Sequence, residues 1–177
     1  MRPSISLIIA FIVLALDFVT KRWVEAALIS GQQIPLTGFF NLVLAYNAGA
    51  AFSFLSDADG WQRWFFSLVA AGASATIVYL LRKHAQATLF CAALSLILGG
   101  ALGNLWDRIS LGHVVDFLDF YIGPYHWPAF NVADSAIFLG AVLLIVDSFR
   151  REKTGVGETG NDKETASGEG RAEKRRN

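Results

Sequence analysis

Four long apolar runs, at about 4–20, 64–81, 88–106 and 132–149, constrain this chain more than any other feature. Each is close to the ~20 residues that an α-helix needs to cross ~30 Å of hydrocarbon, where no water is present to satisfy an irregular backbone. The pattern predicts an all-α membrane protein built as a four-transmembrane-helix bundle. Composition points the same way, with 54% of the 177 residues apolar and 17% charged, against about a quarter charged in a typical soluble domain. Of the 15 basic and 15 acidic side chains, 14 lie from Arg150 onward. One membrane-embedded domain, 1–153, is therefore expected, followed by a disordered cytoplasmic tail, 154–177, whose Gly, Glu, Thr, Lys and Arg cannot bury a core. The single cysteine, Cys91, excludes an internal disulfide and a cysteine-rich zinc site.

The first run follows Arg2 as a secretory signal would, but it lacks a small-x-small cleavage site and leads directly into Asp17-Phe18-Val19-Thr20-Lys21, so it reads as a retained helix. In the third run Gly99 and Gly103 form a Gly-x-x-x-Gly pair suited to close helix contact in lipid. Basic loops stay cytoplasmic. Arg2, Arg82, Lys83 and the basic tail fall on one side of the membrane, and Lys21, Arg22, Arg63 and Arg108 on the other, which places both termini in the cytoplasm. Two outer loops result, 23–63 and 107–130. The first contains the β-prone run Phe39-Phe40-Asn41-Leu42-Val43-Leu44-Ala45-Tyr46 after Pro35 and Gly38, so a small extracytoplasmic β element is expected there. The second carries Gly112, Gly123, Pro124 and Pro128 around a short apolar stretch, 114–120.

An ionised Asp at the centre of a transmembrane helix costs ~2.5–3.5 kcal/mol on insertion scales, so acidic residues at the spans carry information. Asp17 and Lys21 end the first helix four residues apart, and Asn104, Asp107 and Arg108 end the third. Asp134 opens the fourth, and Asp116 lies in the outer loop between them. All converge on the outer boundary, whereas Asp147 stands alone near the inner one. Taken singly, Asp17 with Lys21 reads as a structural ion pair, and Asn104 with Asp107 and Arg108 as a helix end reaching for headgroups. Asn131 with Asp134 reads as a capping pair at a helix start. Asp116 has no cation two, three or four residues away, and function is the stronger reading for it.

Two carboxylates in a low-dielectric site share a proton, one serving as base for water while the other protonates the carbonyl or the leaving amine. Other catalytic designs lack their parts. His84, His113 and His126 are scattered without a His-Glu-x-x-His, and neither a Gly-x-Ser-x-Gly nor a phosphate loop is present. A serine–lysine dyad would need Lys21 with a residue such as Ser53, a pair that no spacing selects. On the residues alone, Asp116 with Asp134 does not outrank Asp107 with Asp134. A small proton-coupled transporter or assembly factor is the rival use of such carboxylates, but a cluster at one interface forms no relay across the bilayer.

Five blocks complete the picture: Asp17-Phe18-Val19-Thr20-Lys21; Asn47-Ala48-Gly49-Ala50-Ala51-Phe52-Ser53; Gly103-Asn104-Leu105-Trp106-Asp107-Arg108; Gly112-His113-Val114-Val115-Asp116-Phe117; and Phe130-Asn131-Val132-Ala133-Asp134-Ser135. In this order, across four spans, the chain resembles the bacterial lipoprotein signal peptidases (signal peptidase II). The resemblance implies an aspartic endopeptidase of the bacterial inner membrane that cuts a prolipoprotein just before a diacylglyceryl-modified cysteine, at the outer face. It implies Asp116 and Asp134 as the catalytic pair. It also implies Asn47, Gly49, Asn104, Arg108 and Asn131 as substrate-binding or supporting groups, and Asp17, Lys21 and Asp107 as supporting residues. A lipidated precursor and membrane lipid are the expected partners, with no metal, no cofactor, no nucleic acid and a monomeric state.

Overall fold

The computed structural model of the chain describes residues 1, 3–49 and 60–150. The expected tail, 154–177, lies outside them, as does the stretch of the second block from Ala50 to Ser53. Among the described residues four helices are long and apolar enough to cross a membrane: α1 (Pro3–Ala27), α2 (Trp61–Lys83), α3 (Thr88–Ser110) and α4 (Val132–Arg150). The central element is α3, since 56% of its most apolar window is buried, against 17–22% for the others. Lipid tails are as apolar as leucine, so such helices associate through close packing between small residues rather than through escape from water.

The glycines show how close that packing is. A methyl on Gly99 would stand 2.6 Å from the Ala10 carbonyl of α1, and one on Gly100 would overlap the Ala133 carbonyl of α4. Gly140 of α4 meets the Ala93 carbonyl of α3 in the same way, at 2.7 Å. In the N-terminal half of α3, its Cys91, Leu94 and Leu98 join Ala10, Ile77 and Leu81 from α1 and α2 in a buried apolar cluster. Outward-facing side chains such as Leu7, Ile8, Phe11, Leu68 and Phe138 stay exposed, as a lipid-facing surface requires.

At the other end sits an antiparallel sheet of order β1-β2-β3-β4. β1 (Gln33–Thr37) and β2 (Phe40–Asn47) form the hairpin expected in the first loop. β3 (Val114–Ile122) and β4 (Tyr125–His126) come from the second loop, joined by a tight turn in which Gly123 takes φ +58°. The β element is therefore larger than expected, because both loops build it. The second loop hid its strand because Val114 to Phe117 are all buried, and a strand covered on both faces shows no alternation. Between Leu42 and Ala45 the β2–β3 pairing shifts by one residue. Helix α1 also continues past Thr20 to Ala27, where Val24 and Leu28 pack under the sheet against Leu44, Val115 and Phe117. That contact fixes the sheet on the ends of the bundle.

Candidate active site

Where the helices meet the sheet, buried polar side chains form two linked groups. The first is centred on Lys21, which is 1% exposed. Its Nζ lies 2.7 Å from Asp17 Oδ2 and 3.0 Å from Asp107 Oδ2. The i,i+4 pair visible in the sequence is thus real, but α3 adds a second carboxylate to it. Asp17 Oδ1 accepts the main-chain N–H of Ala133 at 2.9 Å, and Asp107 Oδ2 that of Val115 at 3.3 Å. Each acid therefore ties the lysine to a further element, α4 or β3. Gly103 leaves the necessary room, since a methyl there would be 2.5 Å from Asp17 Oδ2.

Lys21 also sets the second group. Its Nζ donates to Asn104 Oδ1 at 3.0 Å, and an ammonium can only donate. The Asn104 oxygen must face the lysine, which turns its Nδ2 toward Asp134 Oδ1, 2.7 Å away. Asn131 bridges the remainder. Its Nδ2 donates to Asp116 Oδ1 at 2.7 Å and to Asn104 Oδ1 at 3.2 Å. Its Oδ1 accepts the Asp134 N–H at 2.9 Å, while its own N–H lies 3.3 Å from Asp134 Oδ2. This is the reciprocal capping arrangement of a helix start. The capping and functional readings of Asn131 and Asp134 are therefore compatible, because the cap uses one oxygen of Asp134 and leaves the other to Asn104.

Asp116, 2% exposed, is reached from β2 by Asn47, whose Nδ2 donates to Oδ2 at 3.0 Å. Burial, followed by the nearby charge of Asp134, raises its carboxyl from 3.8 to about 7, against the opposing hydrogen bonds of Asn47 and Asn131. Asn47 is held in turn by the Gly49 N–H, 2.9 Å from its Oδ1. Gly49 has φ +113°, and a methyl there would stand 2.8 Å from the Phe66 ring, so both backbone conformation and space demand glycine. Arg108 stacks over the same ring at 5.4 Å and donates from Nη1 to the Asn104 carbonyl at 3.2 Å. Its buried Nε has no hydrogen-bond partner among the described residues. Beside Asp134 opens a cleft of about 390 Å³ lined by Trp127, Phe130, Ser135 and Phe138. Among the described residues no group of three or more His, Cys, Asp or Glu is arranged to hold a metal ion.

Paired aspartates at the mouth of a four-helix membrane bundle narrow the choice, and comparison with known proteins decides it. The family model described as signal peptidase (SPase) II matches residues 9–150. The chain belongs to the signal peptidase II family. It is 59% identical over 149 residues to the lipoprotein signal peptidase of Cupriavidus taiwanensis, spanning 84% of this chain and 85% of that one. With the lipoprotein signal peptidase of Ralstonia nicotianae it shares 61% identity over 136 residues, 77% and 79% of the two chains. A solved structure described as a bacterial membrane enzyme, determined by the in meso method at 2.3 Å resolution, superposes with a TM-score of 0.74 at 34% identity. That match covers 83% of this chain and 88% of the other. As a member of the signal peptidase II family the chain is a multi-pass inner-membrane protein and an aspartic endopeptidase that processes lipoprotein precursors.

The structure brings all ten singled-out residues, Asp17, Lys21, Asn47, Gly49, Asn104, Asp107, Arg108, Asp116, Asn131 and Asp134, to the sheet end of the bundle. Sequence reasoning missed a third polar group there, Asn41, Asp119 and His126. Its one local signal was the run Asp116-Phe117-Leu118-Asp119, two acids within an apolar strand.

Proposed function

We propose that Asp116 and Asp134 are the catalytic pair through which the chain removes the signal peptide from diacylglyceryl-modified prolipoproteins, cutting on the N-terminal side of the lipidated cysteine. The observation that carries this reading is the bridge at Asn131, whose side-chain Nδ2 donates to the Asp116 carboxyl and whose main-chain N–H lies 3.3 Å from the Asp134 carboxyl. Below about pH 7 Asp116 holds a proton. Asp134 takes a proton from water as its oxygen adds to the scissile carbonyl, and Asp116 gives its proton to the carbonyl oxygen. The tetrahedral diol then collapses, with a proton passing to the departing amine, and the pair returns to its singly protonated state. Asn47, Asn104 and Asn131 hold the two carboxyls in place, and Arg108 adds positive charge beside them. Both termini lie in the cytoplasm, supported by the distribution of Lys and Arg. The site then faces the outer leaflet, where a lipid-anchored cysteine presents its peptide bond. The protein acts as a monomer, all groups of the pair coming from one chain.

Cleavage of a diacylglyceryl-modified precursor by purified protein in detergent tests the assignment. Asp116→Asn and Asp134→Asn each abolish turnover, and the double variant is little worse than either, because residues acting as one unit are not additive. Chelators leave the rate unchanged. If Asp134 only capped α4, Asp134→Asn would cost ~1 kcal/mol or less in stability and activity would survive. Substantial activity in either folded variant overturns the pair.

A further inference from the structure

The sheet carries a polar cluster that the catalytic pair does not use. Asp119, 4% exposed, sits opposite Asn41 across β2 and β3, and Asn41 Nδ2 donates to its Oδ2 at 2.8 Å. From β4, His126 Nδ1 lies 3.0 and 2.9 Å from its two oxygens, and since a carboxylate accepts only, the imidazole is the donor. The His126 ring also stacks on Tyr121, its cross-strand partner, at 5.2 Å and 16°.

The next residues give this cluster its meaning. The Trp127 N–H bonds to the Phe120 carbonyl at 2.7 Å, and the chain then leaves the sheet, since Pro128 has no N–H to offer. It returns at Phe130, which exchanges hydrogen bonds with Leu118 at 3.0 and 2.8 Å. Trp127 and Phe130 line the cleft beside Asp134, and they also line a larger apolar cavity of about 720 Å³ that includes Phe120, Tyr125 and His126. The indole of Trp127 is therefore a wall common to both spaces. On its N-terminal side the nearest side-chain anchor is the bond between His126 and Asp119.

We propose that His126 is a positioning residue: its hydrogen bond to Asp119 fixes β4 and with it the Trp127 wall, and so governs how well substrate fits beside Asp134. The proposal rests on the reading of Asp134 as catalytic. His126 touches neither acid of that pair, so it acts on substrate fit and not on the chemical step.

The test is KM and kcat for a diacylglyceryl-modified precursor peptide, with the full chain in detergent. Because 44% of the imidazole is exposed, substitutions at His126 leave the fold intact. His126→Ala, and His126→Phe, which keeps a ring on Tyr121 without a donor, each raise KM about fivefold while kcat stays within about twofold, the signature of lost uniform binding. His126→Asn restores KM, because its amide nitrogen stands near the place of Nδ1. Trp127→Ala raises KM at least as much, and combining it with His126→Ala adds little, as expected of one residue acting through another. The dissociation constant of the same peptide from the Asp134→Asn variant, which binds without turnover, rises by the same factor when His126→Ala is added. Unchanged KM in His126→Ala, equal loss in His126→Asn, or effects that multiply in the double variant would each overturn the proposal. Retained cleavage by Asp134→Asn alone would instead overturn the reading of the site beneath it.

Discussion

Asp17 and Asp107 on one side, and Asp116 and Asp134 on the other, are aspartates placed at the same end of one bundle, yet they are given different neighbours. The first two share a buried ammonium, which lies 2.7 and 3.0 Å from them. The second two are met by neutral amides, from Asn47, Asn104 and Asn131. A lysine between two carboxylates offsets their charge, and that group ties α1 to α3. Amides orient a carboxyl without neutralising it, and one of the pair must then keep a proton. What faces each acid thus separates the two groups, and Asn104, which touches both Lys21 and Asp134, links them.

The largest effect expected from this comparison is on stability. Lys21→Met leaves Asp17 without its ammonium and Asp107 with only the longer contact to Arg22 Nη2 at 3.5 Å, and should cost ~3–5 kcal/mol, since breaking a buried pair leaves uncompensated charge. Thermal unfolding in detergent measures it, and adding Asp17→Asn with Asp107→Asn should return much of the loss. Asp116→Asn, by contrast, should stop turnover while the Tm holds. An equal fall in Tm for both variants would erase the distinction between the two groups.

A smaller effect concerns pH. With the Asp116 carboxyl raised to about 7, kcat should fall as pH rises through that value and the proton is lost. The same shift contributes stability that is fully present below 3.8 and lost as pH rises through about 7. Asn47→Ala removes a hydrogen bond that lowers the Asp116 value, so the alkaline limb of the profile should move to higher pH. Movement to lower pH would show that Asn47 favours the protonated form. The observed limbs belong to the pair and not to one residue.

The smallest effect is expected at the C-terminus. Truncation after Lys153 should leave kcat/KM in detergent within about twofold, because a segment of that composition has no apolar surface with which to brace the site. A larger loss in correctly inserted protein would add the tail to the working parts.

Much of this arrangement was legible in the sequence, and the failures share a cause. The spans were readable because hydrocarbon demands continuous apolar residues, yet their ends were not. Helix α1 continues to Ala27 because Val24 and Leu28 find the sheet, and hydropathy reports where lipid ends, not where a helix does. The Asn131–Asp134 cap and the Asp17–Lys21 pair were visible as local spacings. Lys21 with Asp107, and Asn41 with Asp119, were invisible because the partners are far apart in sequence and no local pattern encodes their meeting. The strand at Val114–Ile122 lost its period to burial on both faces. The residues alone did not rank Asp116 above Asp107; their different neighbours, a lysine for Asp107 and amides for Asp116, lie far away in sequence.

The shift in pairing between Leu42 and Ala45 has a consequence in parity. Asp116 and Asp119 are three positions apart on β3, so they point to opposite faces of the sheet. Asn41 and Asn47, which serve Asp119 and Asp116, are six apart on β2, and in an unbroken strand they would point to one face. The extra residue sets Val43 and Leu44 against Phe117 alone, and beyond it every side chain of β2 changes sides. A single added position therefore acts as a frame shift, letting one strand supply an asparagine to Asp119 on one surface and another to Asp116 on the reverse.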